Sequence, residues 1–150
     1  MTPSPVATVP TQVPARAAVG GPPAVQALNL VEPLPGFPGH RDYVLVAADA
    51  LGRLYWLQSV APDGPRFLAV AAASYFPDYA PALSAATCLE LGLADPADAQ
   101  LYCVVTVPDG DVASATANLR APLVVNVTRH RARQVVLADG THPIGRALRR

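Results

Sequence analysis

Ala115–Asn126 reads ATANLRAPLVVN. Asn118 and Pro122 are turn residues, and the β-branched pair Val124 and Val125 follows at once. The stretch therefore predicts a turn feeding straight into a buried strand, Pro122–Val127. Short segments of the same kind lie on both sides. Downstream, Arg133–Leu137 (RQVVL) predicts another strand, and Asp139–Gly140 is a favoured tight-turn pair. Upstream, Leu101–Val107 (LYCVVTV) is the clearest strand in the chain and stops at the turn signal PDGD, Pro108–Asp111. Val25–Leu30, Asp42–Ala48, Leu54–Ser59 and Phe67–Ala72 complete the set, each short, rich in β-formers and bounded by turn residues. In Leu54–Ser59 alternation puts Leu54, Trp56 and Gln58 on one face and Tyr55, Leu57 and Ser59 on the other. Both faces carry bulk, so this strand is expected to be central. Trp56 and Leu57 are expected among the main anchors, at ~1.5–3 kcal/mol per fully buried large side chain.

Between the strands the punctuation is specific. Glu32–Gly39 holds two glycines and three prolines and excludes regular structure. Pro77 and Pro81 prevent Tyr75–Leu83 from being a continuous interior strand. Ser84 can cap a short helix that Gly92 closes in a left-handed conformation, with Leu89 and Leu93 expected to point inward. Asp95–Pro96 reads as a second cap with proline in the first turn. Strands at this spacing, with one or two short helices, predict an all-β fold: a mainly antiparallel barrel-like domain over residues 25–147. Residues 1–24 carry six prolines and no large aromatic, so a disordered Pro/Ala-rich tail is expected there. Residues 148–150 form a basic C-terminal end.

Composition limits the classes of function. The chain has 150 residues, one domain's worth, and 51% hydrophobic residues suffice for a single core. Net charge is zero, with every basic side chain an arginine, so no bulk field draws nucleic acid or membrane. The balance conceals an asymmetry. Phe67–Leu119 holds six acids (Asp78, Glu90, Asp95, Asp98, Asp109 and Asp111) and no base, whereas Arg129–Arg150 holds six arginines against Asp139. No stretch approaches the ~20 apolar residues of a membrane span, and no signal sequence precedes the first strand, so a cytoplasmic protein is expected. In that compartment the sequon Asn126–Val127–Thr128 carries no meaning.

Candidate chemistry finds little support. Cys88 and Cys103 match no disulfide framework or metal motif and read as buried thiols. His40, His130 and His142 lack ligand spacing, so no metal or cofactor is expected. His40 with Asp42 resembles a proton-transfer pair, but no activated nucleophile accompanies it. Asp109 and Asp111 suit the turn they sit in, and no phosphate-binding glycine loop is present. The sequence presents no catalytic residue. If extended, Arg129, Arg131 and Arg133 line one face and could meet phosphates, which makes a small RNA-binding β-barrel the alternative reading. No aromatic residues interleave with them to stack bases.

Five segments taken together resemble the flagellar assembly factor FliW family: EPLPGFP (Glu32–Pro38), LYWLQSV (Leu54–Val60), YFPDYAPAL (Tyr75–Leu83), ATANLRAPLVVN (Ala115–Asn126) and RQVVL (Arg133–Leu137). They keep the family's order across residues 32–137. The resemblance implies a non-enzymatic protein that binds the translational regulator CsrA and also binds flagellin. It implies partner switching, in which flagellin captures the factor while it accumulates, and secretion of flagellin frees the factor to sequester CsrA. An acidic face suits a basic RNA-binding partner. The candidates for protein contact are Asp78, Glu90, Asp95 and Asp98, with Tyr79, Arg129 and Arg131. Residues 1–24 are an addition on which the resemblance is silent, and Ala69, Ala71, Ala72 and Ala73 stand where relatives carry larger residues.

Overall fold

The computed structural model describes residues 25–138 and 140–148. The expected tail before Val25 lies outside the described residues, as do Asp139 of the tight-turn pair and the last two arginines. The described residues form nine strands: β1 (Val25–Leu30), β2 (Asp42–Ala47), β3 (Leu54–Ser59), β4 (Arg66–Ala71), β5 (Gln100–Thr106), β6 (Thr116–Ala117), β7 (Leu123–Asn126), β8 (Arg131–Gln134) and β9 (Arg146–Ala147). Two short helices, α1 (Ala72–Tyr75) and α2 (Ala85–Leu91), interrupt them.

The ring β1-β2-β3-β4-β5-β7-β8 closes on itself into a seven-stranded barrel. Six of its seams are antiparallel; the seventh, β1 against β8, is parallel and pairs Asn29 with Arg131 and Leu30 with Ala132. That exception is a matter of parity. An odd number of strands cannot alternate direction all the way round a closed ring, so at least one neighbouring pair must run the same way. Closure removes the open edges that a flat sheet would expose.

Period-two alternation fills the barrel. β1 reads exposed-buried throughout, with Leu28 and Leu30 inside. Tyr43, Leu45, Tyr55, Leu57 and Tyr102 join them, all at most 1% exposed. The alanines have a packing role. Ala69 pairs with Tyr55, and Ala71 pairs with Tyr102. Small side chains opposite the two rings leave room for an edge-on stack with centroids 5.3 Å apart. β4 and β5 are buried on their outer faces too. Val70 and Cys103 point into a second apolar cluster with Phe76, Ala115, Ala117 and Leu119. A third, of Leu91, Leu93 and Val124, sits under α2.

Several expectations are corrected. Trp56 faces outward and is only half-buried, its ring capped by the Arg66 guanidinium 3.8 Å from the centroid; Tyr55 and Leu57 are the anchors of β3. Burial of one face decides the register, and a tyrosine can fill the interior as well as a tryptophan. In α2, Leu89 is 83% exposed, while Leu91 at 0% makes the inward contact along with Leu93. The strand expected at Arg133–Leu137 lies at Arg131–Gln134. Val135 and Leu137 still donate to Pro122 O at 2.9 Å and Arg120 O at 2.8 Å, so the chain stays extended beyond β8 without a regular ladder. Arg129 belongs to the turn before β8, so it does not share a strand face with Arg131 and Arg133. His40 contacts Ser59 Oγ at 3.0 Å, and Asp42 accepts instead from Asn29 Nδ2 at 2.9 Å.

Burial of ionisable groups has a measurable consequence. Burial pushes the Cys103 thiol up to about 12. It also raises the Tyr102 phenol, with Tyr55 beside it adding to the effect, and raises Tyr79. Each folded-state pKa exceeds its unfolded value, near 8.5 for Cys and 10 for Tyr, so this stability is whole below about pH 8 and is lost as pH rises. Urea midpoints should fall progressively above about pH 9, as the loss of unfolding free energy steepens past pH 10 toward ~1.4 kcal/mol per pH unit for each of Cys103 and Tyr102, the more deeply buried groups. Flat midpoints up to pH 11 would refute this assignment.

Candidate functional site

Helix α2 is set by its ends. Ser84 Oγ accepts from Thr87 N at the N-cap, and Gly92, at φ 74°, closes the C-terminus with its N–H on Leu89 O and Cys88 O. Its last carbonyls then attract polar groups from the barrel wall. Asn126 Nδ2 donates to Leu91 O at 2.9 Å, while Asn126 Oδ1 accepts from Thr128 N and Arg129 N. Arg131 reaches Glu90 O at 3.5 Å. Arg133 lies between two carboxylates, ion-paired with Glu90 and, at 2.9 Å, with Glu32. The Glu90 hydrogen bond leads the effects that raise the Arg133 guanidinium above its ordinary value. Arg129 packs across Gly92, where an added Cβ would meet Arg129 Cδ at 3.1 Å.

Arg129, Arg131 and Glu90 thus meet at one end of α2, and of the three Glu90 lines the adjoining groove of about 660 Å³, with Glu32, Pro35, Arg133 and Val136. Two participants were not legible as such. Glu32 stood in a proline-rich loop and Asn126 in a sequon; only closure of the barrel brings either to α2.

Asp78 and Tyr79 occupy a different place, a recess of about 250 Å³ lined with Phe76, Leu119, His142 and Arg146. Tyr79 is a structural post there. Its hydroxyl donates to Leu119 O at 2.5 Å, and the His142 ring stands edge-on with centroids 5.2 Å apart. Asp78 is exposed at the rim. Asp95 caps a short 3₁₀ turn, Pro96–Asp98, by accepting from Ala97 N at 2.9 Å, and Asp98 is exposed within it. Asp111 caps the turn after PDGD in the same way. The candidate residues therefore divide into three settings, and among the described residues Glu90 is the candidate acid held in an ion pair.

Ser59 is buried, and its Oγ accepts from Ala61 N at 3.1 Å while contacting His40. That arrangement fastens the loop before β2 to the β3–β4 hairpin. Among the described residues no three His, Cys, Asp or Glu side chains gather as a metal-holding group, and no helix is long and apolar enough to cross a membrane.

Comparison with known proteins bears on this arrangement. A family described as FliW protein matches residues 22–148. The flagellar assembly factor FliW of Moorella thermoacetica is 38% identical over 114 residues, 76% of this chain and 72% of that protein. Its counterpart in Leptospira biflexa is 29% identical over 119 residues, 79% of this chain and 78% of that one. A crystal structure of the flagellar assembly factor FliW superposes with a TM-score of 0.73 at 30% identity, covering 81% of this chain and 84% of that one.

Proposed function

This chain belongs to the FliW family, and on that premise we propose that it is a cytoplasmic, non-catalytic flagellar assembly factor that binds CsrA and flagellin and exchanges one for the other. Accumulating flagellin occupies the factor and leaves CsrA free to repress; export of flagellin releases the factor, which then withholds CsrA from its messenger RNA. The observation that carries this reading is the match over residues 22–148 to a family whose similar members are flagellar assembly factors. Exposed acids at Asp78, Asp95 and Asp98 support it, because carboxylates on a rim steer a basic protein into encounter. Apolar anchors would carry most of the affinity. The RNA-binding alternative is weakened by Arg133, whose guanidinium is already committed to Glu32 and Glu90.

Calorimetry with the cognate CsrA and flagellin tests the exchange. Each should bind alone, and saturating flagellin should displace CsrA. Reversing charge as Asp78→Arg and Asp98→Arg, with Asp95→Asn to keep the cap, should slow CsrA association about tenfold at low salt. The difference should shrink at high ionic strength. Flagellin binding should suffer less. If neither protein binds at micromolar concentration, or CsrA stays bound under saturating flagellin, the assignment is wrong.

A further inference from the structure

The segment from Gly140 to Leu148 is fastened to the barrel by its edge and contributes little to the core. β9 runs antiparallel to β6, pairing Thr116 with Ala147 and Ala117 with Arg146. Leu148 N donates to Ala115 O at 3.2 Å, and Leu119 N donates to Pro143 O at 3.0 Å. Arg120 adds hydrogen bonds to His142 O and Gly140 O at 3.0 and 3.2 Å. The Arg146 guanidinium sits 5.4 Å from the centre of the Phe76 ring. Both residues of β9 are exposed, and Ile144 is 61% exposed; Leu148 is the residue that packs on the apolar cluster of Phe76 and Ala117. A segment that orders its backbone while burying so little belongs at the low end of local stability.

The wall beneath is different. β6 is paired with β5 through Val105–Ala117 and Thr106–Thr116, and Ala115, Ala117 and Leu119 are buried. If the strap lifts, this wall keeps its position and offers the main-chain groups of Ala115 and Ala117 beside the ring of Phe76. An open strand edge next to apolar surface is what strand addition requires.

We propose that the outer edge of β6 is a docking site for an extended segment of a protein partner, held in cis by β9 until that segment replaces it. The occupant already seated there defines the chemistry. A basic residue lies against Phe76, a small residue follows opposite Thr116, and an aliphatic residue enters the cluster where Leu148 sits. The partner segment therefore runs antiparallel to β6 and carries a basic residue two positions before an aliphatic one. Asp78, exposed on the rim of the same recess, complements the basic residue. The inference rests on the reading of this chain as a protein-binding factor and specifies the surface. Because the strap competes at an effective concentration on the order of millimolar, a partner must bind the edge more tightly than a free copy of the strap does.

A reversible lock tests this in the full chain. The Leu148–Ala115 bond marks the hydrogen-bonded register, which leaves Thr116 and Ala147 as the close, non-bonded pair, with Cα atoms ~4.5 Å apart and in reach of a disulfide. The variant is Thr116→Cys with Ala147→Cys, in a Cys88→Ser background. The first probe is a short end-blocked peptide copying residues 143–148, at millimolar concentration. It should shift the amide resonances at positions 116 and 117 of the reduced chain and leave the oxidised chain unchanged. Absence of shifts in the reduced chain overturns the docking edge, whatever CsrA and flagellin do. In native hydrogen exchange the Leu119 and Leu148 amides should exchange on the order of a hundredfold faster than those of β3; equal rates overturn the strap. Oxidation should weaken CsrA or flagellin binding at least about tenfold, with recovery on reduction. If both proteins bind oxidised and reduced chains alike, the edge is refuted while the protein-binding reading stands.

Discussion

Tyr102→Ala should remove about 3–5 kcal/mol of stability, a large share of the roughly 5–15 kcal/mol that holds an ordinary domain folded. The ring is fully buried on β5, stacks edge-on against Tyr55, and faces Ala71 across the β4–β5 seam. Small neighbours cannot close the cavity its loss would leave. The hydroxyl is also committed: it accepts from Gln26 Nε2 at 3.1 Å and donates to Gln100 Oε1 at 3.0 Å. Tyr102→Phe separates the two contributions. It keeps the ring, strands Gln26 inside the barrel, and should cost about 1–3 kcal/mol. Urea unfolding of both variants, followed by Trp56 fluorescence and circular dichroism together, measures the difference. A Tyr102→Ala variant with a near-native midpoint would mean that the barrel interior is not packed around this ring.

Gly64→Ala should be the most damaging glycine-to-alanine change among the described residues, destabilising by about 1–3 kcal/mol or more. A Cβ at this position would lie 2.2 Å from Ser59 Oγ, 2.3 Å from Ser59 Cβ and 2.9 Å from His40 Nδ1. Ser59 Cβ cannot move aside by rotating a side chain, because it is fixed to the backbone of β3. The β3–β4 turn or the strand end must therefore shift. That shift would break the hydrogen bonds from Ala61 N to Ser59 Oγ at 3.1 Å and from Gly64 N to Ala61 O at 3.0 Å. Gly110→Ala is the contrasting control, since nothing lies within 4 Å of its added Cβ and only its left-handed φ of 74° opposes the change. Thermal unfolding of the two variants should rank Gly64→Ala as clearly the less stable. Equal midpoints would show that the turn yields at little cost.

The division between local and long-range information is visible residue by residue. Ser84 and Gly92 marked the ends of α2 correctly because caps satisfy orphan backbone groups within one turn, using chemistry carried by the capping residue itself. Asp95 capped its short turn for the same reason. Val25–Leu30 and Leu54–Ser59 had the bounds expected of them, since alternation and flanking breakers are local signals. Trp56 and Leu89 were misjudged because size and apolarity do not reveal which face a neighbour will cover. Val135 and Val136, β-branched and expected in a strand, lie past the end of β8 because the regular ladder with β7 stops at the Leu123–Gln134 pair, although Val135 still reaches Pro122.

By itself the sequence determined the all-β class, the places of most strands and turns, the caps of α2, and the five segments that resemble the FliW family. All of these depend on residues near one another along the chain. The tertiary structure alone decided which strand faces point into the barrel and that one seam must be parallel. It also paired Arg133 with Glu90, 43 residues away, separated Asp78 and Tyr79 from Glu90 into different settings, and laid β9 along β6. The physical reason is closure. Ring parity, register and the approach of distant segments are properties of the completed barrel, and no window of local pattern contains them.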